Sequence, residues 1–174
     1  EAGKTVLVFK LLDNVRWMYT VPPKRIIYCY SVYQPEFKKY EKAGVIFKEG
    51  LPSLDWFKTD DSPQLLIVDD LLSEISQDKG LTIDKLFTKI SHHFNLSVCL
   101  LVQNIFSKHL RTITLNATYF IFCRSPRDIG QFNKFCQQVY GQDYKFALEG
   151  YKDSTKKGYS YLFFDCHQTT DDAL

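Results

Sequence analysis

The chain has 174 residues, 45% of them hydrophobic and 24% charged, the balance of a globular protein long enough to bury an α/β core. Lysine and arginine number 22 against 20 acidic residues, for a net charge of +2. That gives no general argument for nucleic-acid binding, and no apolar run of about 18 residues reads as a membrane span.

The first residues, Glu1-Ala2-Gly3-Lys4-Thr5, lead into an apolar stretch. Leu7, Val8, Leu11 and Leu12 fit one face of a helix. After Pro22-Pro23, the run Arg25 to Tyr30 is β-prone and has no helical period. Pro35 opens a segment of helical character that reaches about Ala43, where Gly44 is a stop signal. Val45-Ile46-Phe47 reads as a short strand. Asp60-Asp61-Ser62-Pro63 is a turn into Leu65-Leu66-Ile67-Val68-Asp69-Asp70, a continuous apolar run tipped with two acids.

Gln77 to Gly80 reads as a loop, and Leu81 to His93 as a helix. Leu96 to Val102 is a further buried strand, ending at Gln103-Asn104. Ala117 to Cys123 is another, ending at Arg124-Ser125-Pro126-Arg127-Asp128. A helix is predicted from Asp128 to Tyr140, capped by Asp128 and stopped by Gly141, then a helix near Asp143 to Glu149 and a last strand from Gly158 to Phe164. Buried strands alternating with helices imply an α/β fold with a mostly parallel sheet. Cys29, Cys99, Cys123, Cys136 and Cys166 are scattered without a C-x-x-C pair. Cys29, Cys99 and Cys123 lie within apolar strand-like runs and read as buried free thiols of a reducing compartment.

Three pieces carry chemistry. Gly3-Lys4-Thr5 before a helix matches the end of the phosphate-loop pattern, in which helix N-terminal amides hold phosphate oxygens. Lys4 would then contact the β- and γ-phosphates of ATP, and Thr5 would ligate Mg²⁺. The acid-tipped strand has the shape of a Walker B motif: Asp69 would hold Mg²⁺, and Asp70 would orient or deprotonate the attacking water. Gln103, at the tip of the next strand, offers an amide to the γ-phosphate or the lytic water. In open α/β sheets ligands sit at the carboxyl ends of the strands, so these pieces are expected to meet on one rim. Arg127 is a candidate arginine finger serving a neighbouring subunit, with a structural pair to Asp128 as the alternative. His92 and His93 are adjacent on a helix, point in different directions and do not read as a metal pair.

Ala2-Gly3-Lys4-Thr5, Ile26 to Ser31 with Gln34-Pro35, Leu66 to Leu71, Ser91-His92-His93, Val102-Gln103-Asn104 and Ser125-Pro126-Arg127-Asp128 together resemble one family. Tyr151-Lys152-Asp153 and Leu162 to Asp165 extend the likeness over nearly the whole chain. The chain resembles the FtsK–HerA branch of additional-strand P-loop ATPases, and within it the DNA-packaging ATPases of poxviruses and of polinton- and adintovirus-like elements. The resemblance implies a three-layer RecA-like core, with the strand that ends at Gln103 inserted between the P-loop strand and the Walker B strand. It adds Ala2 to the nucleotide-binding loop. It also implies a homo-oligomeric ring that hydrolyses ATP with Mg²⁺ to move double-stranded DNA into a capsid. Capsid proteins are further expected partners, a membrane is not, and the address is intracellular, in the virion or the host nucleus or cytoplasm.

In this reading residues 1–174 are a single ATPase domain cut at both ends, with the N-terminal P-loop strand missing. The second Walker B acid is Asp70 where most relatives carry glutamate. The alternatives are another P-loop helicase or motor, or an integrated viral gene relic without catalysis.

Overall fold

The computed structural model describes residues 3–57, 61–126 and 129–170. The chain divides into two compact units. One is Thr5–Asn116, and the other comprises Ala117–Leu174 together with Glu1–Lys4.

The larger unit is built on a four-stranded parallel sheet in the order β2-β1-β3-β4. Its strands are β1 (Arg25–Tyr30), β2 (Ile46–Glu49), β3 (Gln64–Asp69) and β4 (Leu96–Leu101). Every residue of β3 is buried. This is why its sequence is a continuous apolar run: a central strand of a parallel sheet has no solvent face. Helix α1 (Lys4–Met18) precedes the sheet, and α2 (Phe37–Lys42) links β1 to β2. The β3-to-β4 connection runs through α3 (Leu72–Gln77), α4 (Leu81–Lys85), a π-helical turn (Leu86–Ile90) and α5 (Ser91–His93). The single helix expected from Leu81 to His93 is therefore interrupted at its centre by a widened turn. After β4 comes α6 (Arg111–Asn116).

Two apolar clusters cover the two faces of this sheet. On one side Tyr28, Leu65, Ile67 and Leu101 pack with Val8 and Leu12 of α1 and with Phe37 and Tyr40 of α2. On the other, Ile27, Cys29, Leu66 and Val68 pack with Ile75, Ile83, Leu86 and Ile113 of the later helices. The alternation follows from the two-residue period of a strand. Each fully buried aliphatic side chain in these clusters stabilises the fold by roughly 1.5–3 kcal/mol. The result is an α/β fold with helices on both faces of a parallel sheet.

The smaller unit pairs β5 (Tyr119–Cys123) with β6 (Tyr161–Asp165) antiparallel. Phe120 and Phe122 of β5 meet Phe132 and Phe135 of α7 (Ile129–Tyr140), and Phe164 of β6 joins them. Helix α8 (Lys145–Ser154) adds Tyr151, stacked on Phe132 with ring centroids 4.3 Å apart. The expected helix near Asp143 to Glu149 thus starts later and runs on to Ser154. The expected strand from Gly158 is confined to Tyr161–Asp165.

Candidate functional site

The site begins with the turn into α1. Gly3 has φ +81°, the left-handed region that glycine enters without penalty. A β-carbon there would lie 3.1 Å from the Tyr159 ring. Lys4 is the first residue of α1 and Thr5 the second. No acidic residue lies in the first turn of this 15-residue helix, so none of its own carboxylates offsets the partial positive charge of its N-terminal amides. The Lys4 charge reaches Cys123: burial raises that thiol's pKa, and Lys4 pulls it back.

The second component is the carboxyl end of β3. Asp69 ends the strand at 7% exposure. It lies on the face that carries Ile67, where α1 packs. Thr5 Oγ1 donates to Asp69 Oδ2 at 3.3 Å, which joins the α1 threonine to the first strand-end acid. Tyr28 Oη donates to the same oxygen at 2.6 Å, a short charge-assisted contact. Burial, reinforced by this bond to Asp69, raises the Tyr28 pKa above its ordinary value. Burial likewise pushes the Cys99 thiol on β4 up to about 11, with a smaller push from the Asp69 charge.

Asp70 leaves the strand with φ +54°, a left-handed conformation that aspartate tolerates better than most residues. It is exposed, and Gln103 Nε2 donates to its Oδ1 at 3.2 Å. Gln103 follows β4, which pairs directly with β3 in register Asp69 to Leu101. Thr5, Asp69, Asp70 and Gln103 are therefore gathered at the carboxyl rim of the sheet. No site role for Tyr28 follows from the sequence alone. Tyr28 sits opposite Ile67 on the neighbouring strand, so it reaches Asp69 diagonally across the sheet. Only the strand register reveals that pairing.

Ala2 and Arg127 lie outside the described residues, as does Asp128, the expected cap of α7. The preceding Arg124-Ser125 segment is fixed by Tyr151, whose hydroxyl donates to the Cys123 carbonyl and accepts from the Ser125 amide. His92 and His93 are exposed at the end of α5.

The assembled groups can act as hard oxygen donors and as hydrogen-bond partners of a water. Among the described residues no group of three or more His, Cys, Asp or Glu is arranged to hold a metal ion. One hydroxyl and one carboxylate on a shared contact are oxygen donors of the kind a hard divalent cation takes when its remaining ligands come from elsewhere. No described helix is long and apolar enough to cross a membrane. Comparison with protein-family models, with curated proteins and with solved structures finds no match.

Proposed function

We propose that this chain is the core of a P-loop ATPase with a RecA-like arrangement. The observation that carries the reading is the Thr5–Asp69 hydrogen bond. It joins a Gly-Lys-Thr helix start to the acid tip of a buried strand distant in sequence. A hydroxyl that donates its proton to Asp69 keeps its oxygen lone pairs for a cation. In this reading Lys4 and the α1 amides would take phosphate oxygens, and Thr5 with Asp69 would hold Mg²⁺. The bound ion would neutralise charge on the phosphate oxygens. Asp70, held by Gln103, takes a proton from water as that oxygen attacks the γ-phosphorus. The bond from the γ-phosphorus to the β–γ bridging oxygen breaks, leaving ADP and phosphate. The strand order supports the same reading, because β4 lies beside the acid-tipped β3.

The finer reading, a ring-forming motor that moves double-stranded DNA, rests on the sequence likeness to packaging ATPases. It predicts that duplex DNA stimulates turnover. In the full-length protein Lys4→Ala should abolish ATP hydrolysis. Asp70→Asn should slow it by about 10²–10⁴-fold, the usual weight of a general base, while nucleotide binding persists in isothermal titration. Undiminished turnover by Lys4→Ala would defeat the assignment.

A further inference from the structure

Tyr28 is fully buried, at 0% exposure. Its ring lies against Phe37 and Phe47, with centroids 5.2 and 5.0 Å away, and Phe9 belongs to the same cluster. In that environment a phenylalanine would pack as well as a tyrosine. The hydroxyl must therefore be explained by its one described partner, Asp69 Oδ2 at 2.6 Å. A buried phenol without an acceptor is costly, and one aimed at a carboxylate fixes the rotamer of that carboxylate. Thr5 donates to the same oxygen, so two hydroxyls from two different elements, α1 and β1, hold Asp69 from the same side. The neighbouring Tyr30 belongs to the same ring cluster, 5.2 Å from Phe37, and its hydroxyl makes no described hydrogen bond.

We infer that Tyr28 is a positioning residue: its hydroxyl holds Asp69 in the orientation that receives a divalent cation, and it acts through Asp69 without touching the ion. This rests on the ATPase reading for the identity of the cation. The role is that of an outer partner of a metal ligand, whose loss commonly weakens metal binding by about 10–100-fold.

The test uses the full-length protein and Mn²⁺ as a paramagnetic probe, titrated in the presence of a non-hydrolysable ATP analogue. Tyr28→Phe keeps the ring, and far-UV circular dichroism checks that it folds. It should weaken Mn²⁺ binding by at least about 10-fold and leave metal-free nucleotide affinity unchanged. The Mg²⁺ concentration for half-maximal turnover should rise in parallel, while kcat at saturating Mg²⁺ stays near the parental value. Tyr30→Phe should match the parent in every measurement. Combining Tyr28→Phe with Asp69→Asn should add no further loss of Mn²⁺ affinity, because the tyrosine acts only through the aspartate. Should Tyr28→Phe not fold, 3-fluorotyrosine placed at position 28, a stronger donor of nearly the same shape, must bind Mn²⁺ at least as tightly as the parent. Parental Mn²⁺ affinity in Tyr28→Phe, or weaker binding with the fluorinated residue, overturns the inference and leaves the ATPase reading intact. A parent protein that binds no Mn²⁺ with nucleotide, or an Asp69→Asn variant that binds it as tightly as the parent, overturns both.

Discussion

Replacing Asp69 by asparagine should leave the fold almost as stable as before while removing the chemistry assigned to it. Two opposing terms decide this. The carboxylate is 7% exposed, and a charge at such depth carries a desolvation cost of several kcal/mol that a neutral amide avoids. Against that, the Tyr28 bond at 2.6 Å changes from a hydrogen bond to a charged group, worth about 1.5–3 kcal/mol, to a neutral one worth about 0.5–1.5. The Thr5 contact at 3.3 Å is long for a hydroxyl bond and weighs less. Relief of desolvation at least matches the weakened bonds, so asparagine should cost no more than about 1 kcal/mol, or about 2–4 °C in Tm for a chain of this size. Asp69→Leu is the contrast. It removes the acceptor, strands the Tyr28 hydroxyl and should cost about 1–3 kcal/mol. Urea titrations of the parent and both variants, followed by circular dichroism, measure all three. An asparagine variant as unstable as the leucine variant would mean that the negative charge itself holds the fold together, and the argument that Asp69 is kept for chemistry would collapse.

Two further outcomes follow from the structure. Gly80 has φ +75°, and a β-carbon there would stand 2.8 Å from the His109 carbonyl oxygen. Gly80→Ala should therefore cost more than the roughly 1–2 kcal/mol of a left-handed alanine, whereas Gly44→Ala, with φ +95° but open space around it, should cost only that much. Equal urea midpoints for the two variants would refute the steric argument. Stability should also fall on the alkaline side. Burial raises the Cys29 thiol from 9.0 to about 12, and Cys99 and Cys136 to about 11. A raised folded-state pKa gives stability that is fully present below the unfolded value and is lost as pH rises through the folded one. Urea midpoints under reducing conditions should decline steadily above pH 9, and Cys29→Ala should flatten the slope. A flat profile from pH 8 to 10.5 would contradict the burial of these thiols.

The strands of the parallel sheet were legible because burial on both faces leaves an uninterrupted apolar run. Leu65 to Val68 could hardly be anything else, and the acid pair that follows marks its end. The short helices were not. Leu72–Gln77 and Arg111–Asn116 are six residues each, too short for a hydrophobic period to repeat, and they exist because Ile75 and Ile113 pack onto the sheet. The antiparallel partnership of β5 and β6 was hidden for another reason. Phe120, Phe122 and Phe164 pack inward, yet Tyr119, Ile121 and Phe163 on the opposite face are also apolar and stand exposed, so the alternation that marks a half-buried strand is absent. The candidate site was legible wherever chemistry sits at an element's end, as at Thr5, Asp69, Asp70 and Gln103. It was not legible at Tyr28, whose part depends on which strand lies beside β3 and in what register.

That register also explains how two adjacent aspartates acquire different environments. Strand periodicity commits Asp69 to the face covered by α1, where Thr5 and Tyr28 both donate to it. Two hydroxyl donors on one oxygen fix the direction of the carboxylate. Asp70 lies one residue further on, and a pleated strand would send it to the opposite apolar face among Leu66 and Val68. Its left-handed backbone ends the strand instead, leaving the side chain exposed and within reach of Gln103 from the neighbouring strand. The general base proposed here needs access to solvent and a partner that orients it without neutralising it, and the Gln103 amide supplies the second. The division between the two acids thus arises from one backbone angle at the strand end, and a residue that resists φ near +54°, such as valine at position 70, would remove it even before its missing carboxylate is counted.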